Sequence, residues 1–496
     1  MLNRLRELYT RLTAGGSTEA QAVQSGIWVT GINVGDRLLQ LLKVIILARL
    51  LSPEAFGLLG IGLVTVAALR QFSNLGFDAA LIQHEKDDVD AYLNTAWIIK
   101  IIRGIVIAIV TFLTGPTLAA FFGEPQAEPI IQLLGFTPLI LGIQNPAVMY
   151  FQKNLNFHRE FVYQVGGRLI DLLVAVAIAV TFQAVWALPA GIIAMNLSKA
   201  ALSYGIHEYR PRIEFNFDYG REMFAFGKWM LASSVLVFIA GQGDDFFVGW
   251  YFTATTLGYY QIAYRVSNAP ATEITQVISK VAFPTFSKVQ NDVKRLREGY
   301  FLVLQLSTAL AFPMAAGIAA VAPQFVYIAF GPEWTTMIPM IQLLAVWGGI
   351  RAFGANVGSV YKSTGNPDIE VKLQAIKVLV GSICIFPIAA HLGVMGVIIL
   401  LVCLPLITNP MHQYLLSKIL DTDLWELIYP LIHPLIGSIL MYLSVIWASS
   451  LLSTGVFSLT ILIMSGMIIY MLYMIVVNVL TEYMLFDSIK SVIEST

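Results

Sequence analysis

The residues that could do chemistry in this chain are charged ones set inside apolar runs. The run at 25–48 shows the pattern first, carrying Asn33, Asp36, Arg37, Gln40 and Lys43. Asn33, Asp36, Gln40 and Lys43 recur at i, i+3, i+7 and i+10, which is one helical face. A charge near a bilayer centre costs at least ~2.5 to 3.5 kcal/mol, so this stripe turns away from lipid toward other helices or water. Two readings stay open on this helix alone. It lines a hydrated, charged pathway, or Asp36 pairs with Lys43 and the stripe serves assembly only.

Similar stripes recur along the chain. Arg70, Asn74 and Asp78 are spaced i, i+4, i+8, and Lys100 and Arg103 are spaced i, i+3. Arg168 and Asp171 are also i, i+3, the spacing of an ion pair within one helix. Gln261, Arg265, Asn268, Thr272, Gln276 and Ser279 form a longer stripe. Twelve of the 30 Lys and Arg fall inside apolar runs, against six acids: Asp36, Asp78, Asp171, Asp244, Asp245 and Glu273. Lys228, Lys280 and Lys377 are near run ends and can snorkel. Arg37, Arg70, Arg103, Arg265 and Arg351 are too deep for that.

One polar residue per helix can be packing glue. Stripes on several helices with an excess of cations predict a water-filled cationic cavity. Arginine makes bidentate bonds to planar oxyanions, so the expected ligand carries phosphate or carboxylate. Asp244 and Asp245 follow Gly241-Gln242-Gly243, where glycines loosen a helix. They balance cavity charge, bind a coupling proton or cation, or pair with Arg265.

The elements that must hold these charges are membrane helices. Of 496 residues, 57% are hydrophobic and 12% charged, where a soluble domain has roughly 25% charged residues. About fourteen apolar runs reach spanning length: 25–48, 57–82, 93–121, 128–150, 163–182, 186–206, 223–250, 257–285, 300–321, 335–360, 370–390, 393–416, 426–448 and 457–480. The connections are short and carry turn signals such as Leu51-Ser52-Pro53, Gly123-Glu124-Pro125 and Gly365-Asn366-Pro367. Pro270, Pro284, Pro313, Pro387 and Pro405 fall inside later runs and are expected to kink them.

With the N-terminus in the cytoplasm and the sides alternating, seventeen Lys and Arg fall in cytoplasmic segments and one, Arg49, on the other side. That bias follows the positive-inside rule and places both termini in the cytoplasm. The opening segment holds Arg4, Arg6 and Arg11, and the run after it is too long and charged for a cleaved signal peptide. Cys384 and Cys403 lie in apolar runs and imply neither a disulfide framework nor a metal cluster.

The chain repeats itself. Phe122-Gly123 followed by Pro129-Ile130-Ile131-Gln132-Leu133-Leu134 returns as Phe330-Gly331 followed by Pro339-Met340-Ile341-Gln342-Leu343-Leu344. Gly26, Trp28 and Gly57 match Gly227, Trp229 and Gly258 at an offset of 201. The repeat divides the chain into 1–210 and 211–416, six spans each, with 417–496 holding two further spans that read as lipid-facing. Both halves start on the cytoplasmic side, so the repeat is parallel. Such repeats bind a substrate between the halves and rock for alternating access.

Four stretches carry a family resemblance: ILARLLSPEAFGLLGIG (46–62), SNLGFDAALIQ (73–83), LGYYQIAYRVSNAP (257–270) and VAFPTFSKVQ (281–290). They resemble the polysaccharide transporter branch of the multidrug/oligosaccharidyl-lipid/polysaccharide exporter superfamily, the lipopolysaccharide-biosynthesis, O-antigen and exopolysaccharide flippases. The resemblance covers nearly the whole chain. It implies an all-α polytopic membrane protein of fourteen helices, two six-helix bundles around a cationic cavity plus two C-terminal helices. It also implies a bacterial or archaeal inner membrane and export of undecaprenyl-pyrophosphate-linked oligosaccharide by ion-coupled alternating access.

On that basis Arg37, Lys43, Arg70, Arg103, Arg265 and Arg351 are expected to hold the pyrophosphate or acidic sugars. Asp36, Asp244 and Asp245 are the candidate coupling acids, for H+ or Na+, with no other cofactor or metal. The expected partners are the lipid-linked oligosaccharide, membrane lipid, and the glycan polymerase and glycosyltransferases of the same pathway. No nucleic acid is expected, and the chain is expected to act as a monomer.

The alternatives separate on simple features. A drug or small-cation exporter of the same superfamily is disfavoured by a net positive pathway. A membrane glycan polymerase or acyltransferase would want a large outer loop or a buried His, and His391 is at a span end. No HExxH, CxxC, Walker loop or GxSxG occurs, so an enzyme is not expected. A non-transporting scaffold would leave deep arginines costly and unused.

Overall fold

The computed structural model describes residues 18–73, 89–153, 156–268 and 275–481, all of them helix, turn or irregular chain. Its α-helices are α1 (Thr18–Leu50), α2 (Pro53–Phe72), α3 (Val89–Phe121), α4 (Glu128–Leu134), α5 (Thr137–Ile143), α6 (Tyr150–Lys153), α7 (Phe157–Phe182), α8 (Ala187–Ile206) and α9 (Phe217–Tyr251). They continue as α10 (Ala254–Ser267), α11 (Thr275–Val289), α12 (Val293–Ala329), α13 (Ile338–Gly354), α14 (Val357–Ser363), α15 (Pro367–Leu420), α16 (Leu424–Leu451) and α17 (Val456–Leu480). Among the described residues, nine helical stretches are long and apolar enough to cross a membrane. The protein is therefore an all-helical, multi-pass membrane protein.

The breaks follow backbone chemistry. Pro53 begins α2 in its first turn, where a missing N–H costs nothing. Gly123, Gly331 and Gly365 turn the chain with φ of 68°, 103° and 77°. The long run of α15 is divided at Gly393, whose φ of 63° and ψ of −153° no helix tolerates. The run at 128–150 is not one helix but α4 and α5, divided at Gly135-Phe136 just ahead of Pro138, which has no N–H to continue the ladder. The run at 335–360 is likewise cut between α13 and α14 at buried Asn356. Pro284, Pro313, Pro387 and Pro405 lie inside α11, α12 and α15; Pro270 lies outside the described residues.

The chain forms two compact units, Met1–Gly258 and Tyr259–Thr496. In the first, α7 packs against α1 and α8, α3 against α4 and α5, and α2 against α4 and α9. In the second, α12 packs against α13, α16 and α17, and α13 against α15. A core of Phe286, Tyr300, Leu304, Tyr361 and Leu416 gathers around α12. The outer faces of α16 and α17 expose Leu443, Trp447, Met471 and Leu472, as lipid-facing helices do.

The first unit runs past residue 210, the expected boundary of the sequence repeat, and includes a close contact at Gly57 and Gly258. A Cβ on Gly57 would collide with the carbonyl of Ala254, and a Cβ on Gly258 with the carbonyl of Pro53. The offset of 201 relates Gly57 to Gly258 and also Pro53 to Ala254. The first turns of α2 and α10 therefore touch backbone to backbone through equivalent glycines. Glu124 adds a bond here, its Oε1 accepting the Ala254 N–H at 2.8 Å and capping α10.

Candidate functional site

The polar stripe of α1 faces α7. Gly31 and Gly35 let α1 lie against Phe161 and Val165, and Trp28 meets Phe161 edge-on at 5.4 Å. Asp36 and Lys43 do not pair with each other. Asp36 accepts from Arg168 Nε at 2.7 Å and Nη2 at 3.3 Å, a bidentate geometry. Arg168 Nη1 also reaches Asp171 Oδ2 at 3.4 Å, as the i, i+3 spacing predicts. Lys43 Nζ bonds Asp171 Oδ1. Lys43 is 7% and Asp171 1% exposed, so this part of the network is closed.

Glycines on the neighbouring helices make room for it. A side chain on Gly191 of α8 would meet Asp171, and one on Gly167 would meet the stem of Lys199. Lys199 donates to Gln164 Oε1 at 2.7 Å and lies over the Tyr163 ring at 5.4 Å. Two carboxylates thus face two cations across α1 and α7. Arg37 points elsewhere: it is exposed, with Nη1 3.4 Å from Gln40 Oε1.

Arg103 and Arg70 meet at the end of α2. Arg103 Nε donates to Ser73 Oγ at 2.9 Å and Nη2 donates to the Arg70 carbonyl. A helix C-terminus leaves carbonyls without partners and carries partial negative charge, so this guanidinium caps α2. The Arg70 side chain is exposed. Asn74 and Asp78, the rest of that stripe, lie outside the described residues.

The second unit holds its arginines differently. Arg351 of α13 donates from Nη1 to Asn268 Oδ1 at 3.0 Å, and its guanidinium lies 4.4 Å over the Trp347 ring. Trp347 in turn packs on Tyr264 of α10, ring centroids 5.4 Å apart. Arg265, one helical turn from Asn268, is exposed. The lower end of the same stripe is packing: Ser279 donates to Asn356 Oδ1 at 2.9 Å, and Asn356 Nδ2 donates to Ser307 Oγ at 2.9 Å. Thr272 lies outside the described residues.

Asp244 and Asp245 are half-buried on α9. The expected loosening at Gly241-Gln242-Gly243 is absent, since α9 runs unbroken from Phe217 to Tyr251. Among the described residues no three His, Cys, Asp or Glu side chains converge as a metal site would require.

Sequence reasoning overlooked Trp347, whose i, i+4 spacing to Arg351 was a usable signal. It also had no way to see the cross-pairing of Asp36 and Lys43, which needs the partner helix.

Comparison with known proteins agrees with this architecture. The family model described as polysaccharide biosynthesis protein matches residues 46–339. The chain is 27% identical over 343 residues to the lipopolysaccharide biosynthesis protein WzxC of Escherichia coli, covering 68% of this chain and 69% of that one. It is 26% identical over 324 residues to the succinoglycan biosynthesis transport protein ExoT of Rhizobium meliloti, covering 65% of each. Among solved structures, the lipid II flippase MurJ in an inward closed conformation superposes with a TM-score of 0.71 at 14% identity, over 91% of this chain and 98% of that one. That likeness is one of fold.

Proposed function

The chain belongs to the polysaccharide biosynthesis protein family, and from that membership we propose that it is a flippase for a lipid-linked oligosaccharide. Its substrate in this reading is a polyprenyl pyrophosphate carrying the glycan, moved across a bacterial or archaeal inner membrane by alternating access. The fold shared with MurJ supports the reading, as do relatives named for lipopolysaccharide biosynthesis and succinoglycan transport. The observation that carries it is Arg351, a guanidinium on a membrane helix held by a neutral amide and a ring. Such a group keeps its positive charge available to an oxyanion.

In this proposal Arg37, Arg70, Arg265 and Arg351 meet the pyrophosphate. Lys43 and Arg103 hold the helices that position them. Fourteen spans, in halves 1–210 and 211–416 with an added 417–496, carry the motion, with both termini cytoplasmic. An H+ or Na+ gradient drives it through Asp36, whose carboxylate holds Arg168, and through Asp244 and Asp245. The chain works as a monomer and hands its product to the polymerase of the same pathway, after glycosyltransferases have built the glycan.

The test is movement of a polyprenyl-pyrophosphate oligosaccharide in vesicles containing the purified protein. Wild type should expose the glycan to an outside lectin faster than protein-free vesicles do. Arg265→Ala and Arg351→Ala should slow that exposure at equal protein content. No acceleration by wild type would overturn the proposal.

A further inference from the structure

Arg351 differs from Lys43 and Arg168 and resembles Lys199, which also bonds a neutral amide and lies over a ring. Lys43 and Arg168 each bond a carboxylate. Among the described residues, Arg351 bonds only a neutral amide oxygen and lies on a ring. A guanidinium has five N–H donors, and Asn268 takes one of them. Leaving such a group without an acid in a membrane helix is costly unless an anion visits it.

The surroundings are built to hold that guanidinium in one orientation. Tyr264 on α10 and Asn268 in the turn just past its end stand i, i+4, and Trp347 and Arg351 stand i, i+4 on α13. The pairs are matched across the two helices, ring against ring and amide against guanidinium. Trp347 is 6% exposed, and its Nε1 makes no hydrogen bond among the described residues. The indole therefore offers its face and not its N–H. The ring sets the plane of the guanidinium, and Asn268 sets its rotation within that plane. A free arginine gives up much rotameric freedom when it grips an anion, and one already held gives up less.

We propose that Trp347 and Asn268 are positioning residues that present the Arg351 guanidinium to a phosphate of the lipid-linked substrate. The neutrality of residue 268 is part of the device. An aspartate there would form an ion pair with Arg351 and occupy the donors the substrate needs. This inference rests on the flippase reading above and adds to it the residues that orient one of its cations.

The experiment compares wild type with Asn268→Asp, Trp347→Leu and Trp347→Phe in the vesicle assay, varying the polyprenyl-pyrophosphate oligosaccharide. Melting temperature in detergent is recorded for each. Asn268→Asp should raise the half-saturating substrate concentration about 10-fold or more, with a melting temperature equal to or above wild type. Trp347→Leu should raise it roughly 5-fold, and Trp347→Phe, which keeps a ring face and loses no hydrogen bond, should restore most of that.

Two outcomes overturn the inference while leaving the flippase reading standing. One is a half-saturating concentration unchanged in both Asn268→Asp and Trp347→Leu. The other is a parallel fall of maximal rate and melting temperature in all three variants, which would make the cluster structural. If wild type itself moves no substrate, the flippase reading fails and takes this inference with it. That pattern differs from the first two because it appears before any substitution.

Discussion

The charged centre between α1 and α7 and the arginine on α13 start from the same raw material, cations on membrane helices, and end in opposite states. Lys43 and Arg168 are matched by Asp36 and Asp171, and the deepest members are shut away from solvent. Arg351 is matched by an amide and an indole. A buried ion pair saturates its charges and locks its helices together. A guanidinium on a ring keeps its charge and its orientation. The first arrangement suits scaffolding or coupling, and the second suits a visiting anion.

The largest effect that could break this comparison is at Asp171. Asp171→Ala leaves Lys43 buried without its carboxylate and weakens the hold on Arg168. Removing one partner of a buried pair costs about 3 to 5 kcal/mol. The variant should melt far below wild type in detergent, as followed by size-exclusion chromatography of heated samples. The double variant Lys43→Met, Asp171→Leu should recover much of the loss, because it removes both charges together. An unchanged melt for the single variant would show that the network is solvated and not closed.

Arg351→Ala should give the converse result. Losing charge-assisted bonds to an anion is worth about 1.5 to 3 kcal/mol, or roughly 10- to 150-fold in half-saturating substrate. The melting temperature should stay near wild type, since no buried carboxylate is orphaned. A large drop in stability with unchanged substrate dependence would place Arg351 in the same class as Lys43.

The symmetric contact between α2 and α10 sharpens the point from another side. There Gly57 abuts the carbonyl of Ala254 and Gly258 that of Pro53, two contacts related by the offset of 201. Gly57→Ala and Gly258→Ala should therefore do similar damage, about 1 to 3 kcal/mol each for overpacking. Thermal melts of both variants check this, and a loss confined to one would show that the contact is not shared equally.

How much of this was legible beforehand depends on whether the signal lies within one helix. The helices follow from apolar runs, and the Arg168–Asp171 contact from its i, i+3 spacing. The breaks at Gly135 and Asn356 were hidden because apolar residues continue across them. Both breaks sit against a neighbour: the Thr111 side chain in one case, the Ser279 and Ser307 hydroxyls in the other. The pairing of Asp36 with Arg168 was hidden for the same reason, since 132 residues separate them and only the packing of α1 on α7 brings them together. The arginines inside apolar runs stand out in the sequence, but their spacing holds no statement about which are saturated.

Arg103 is the smallest and most discriminating case, because its described bonds go to the end of a helix. Its guanidinium holds Ser73 Oγ and the Arg70 carbonyl. If that is its main work, Arg103→Gln removes the charge from a helix C-terminus and costs about 0.3 to 1 kcal/mol of stability. Half-saturating substrate should then move by less than about 2-fold, because a loss of that size at a helix end leaves the other arginines in place. Arg103→Lys, which keeps charge but not the fork, should fall between the two in melting temperature. A shift in substrate dependence approaching that of Arg351→Ala, with no change in melt, would move Arg103 from the first class of cation to the second. It would also mean that a single guanidinium can cap a helix and still serve the passing anion.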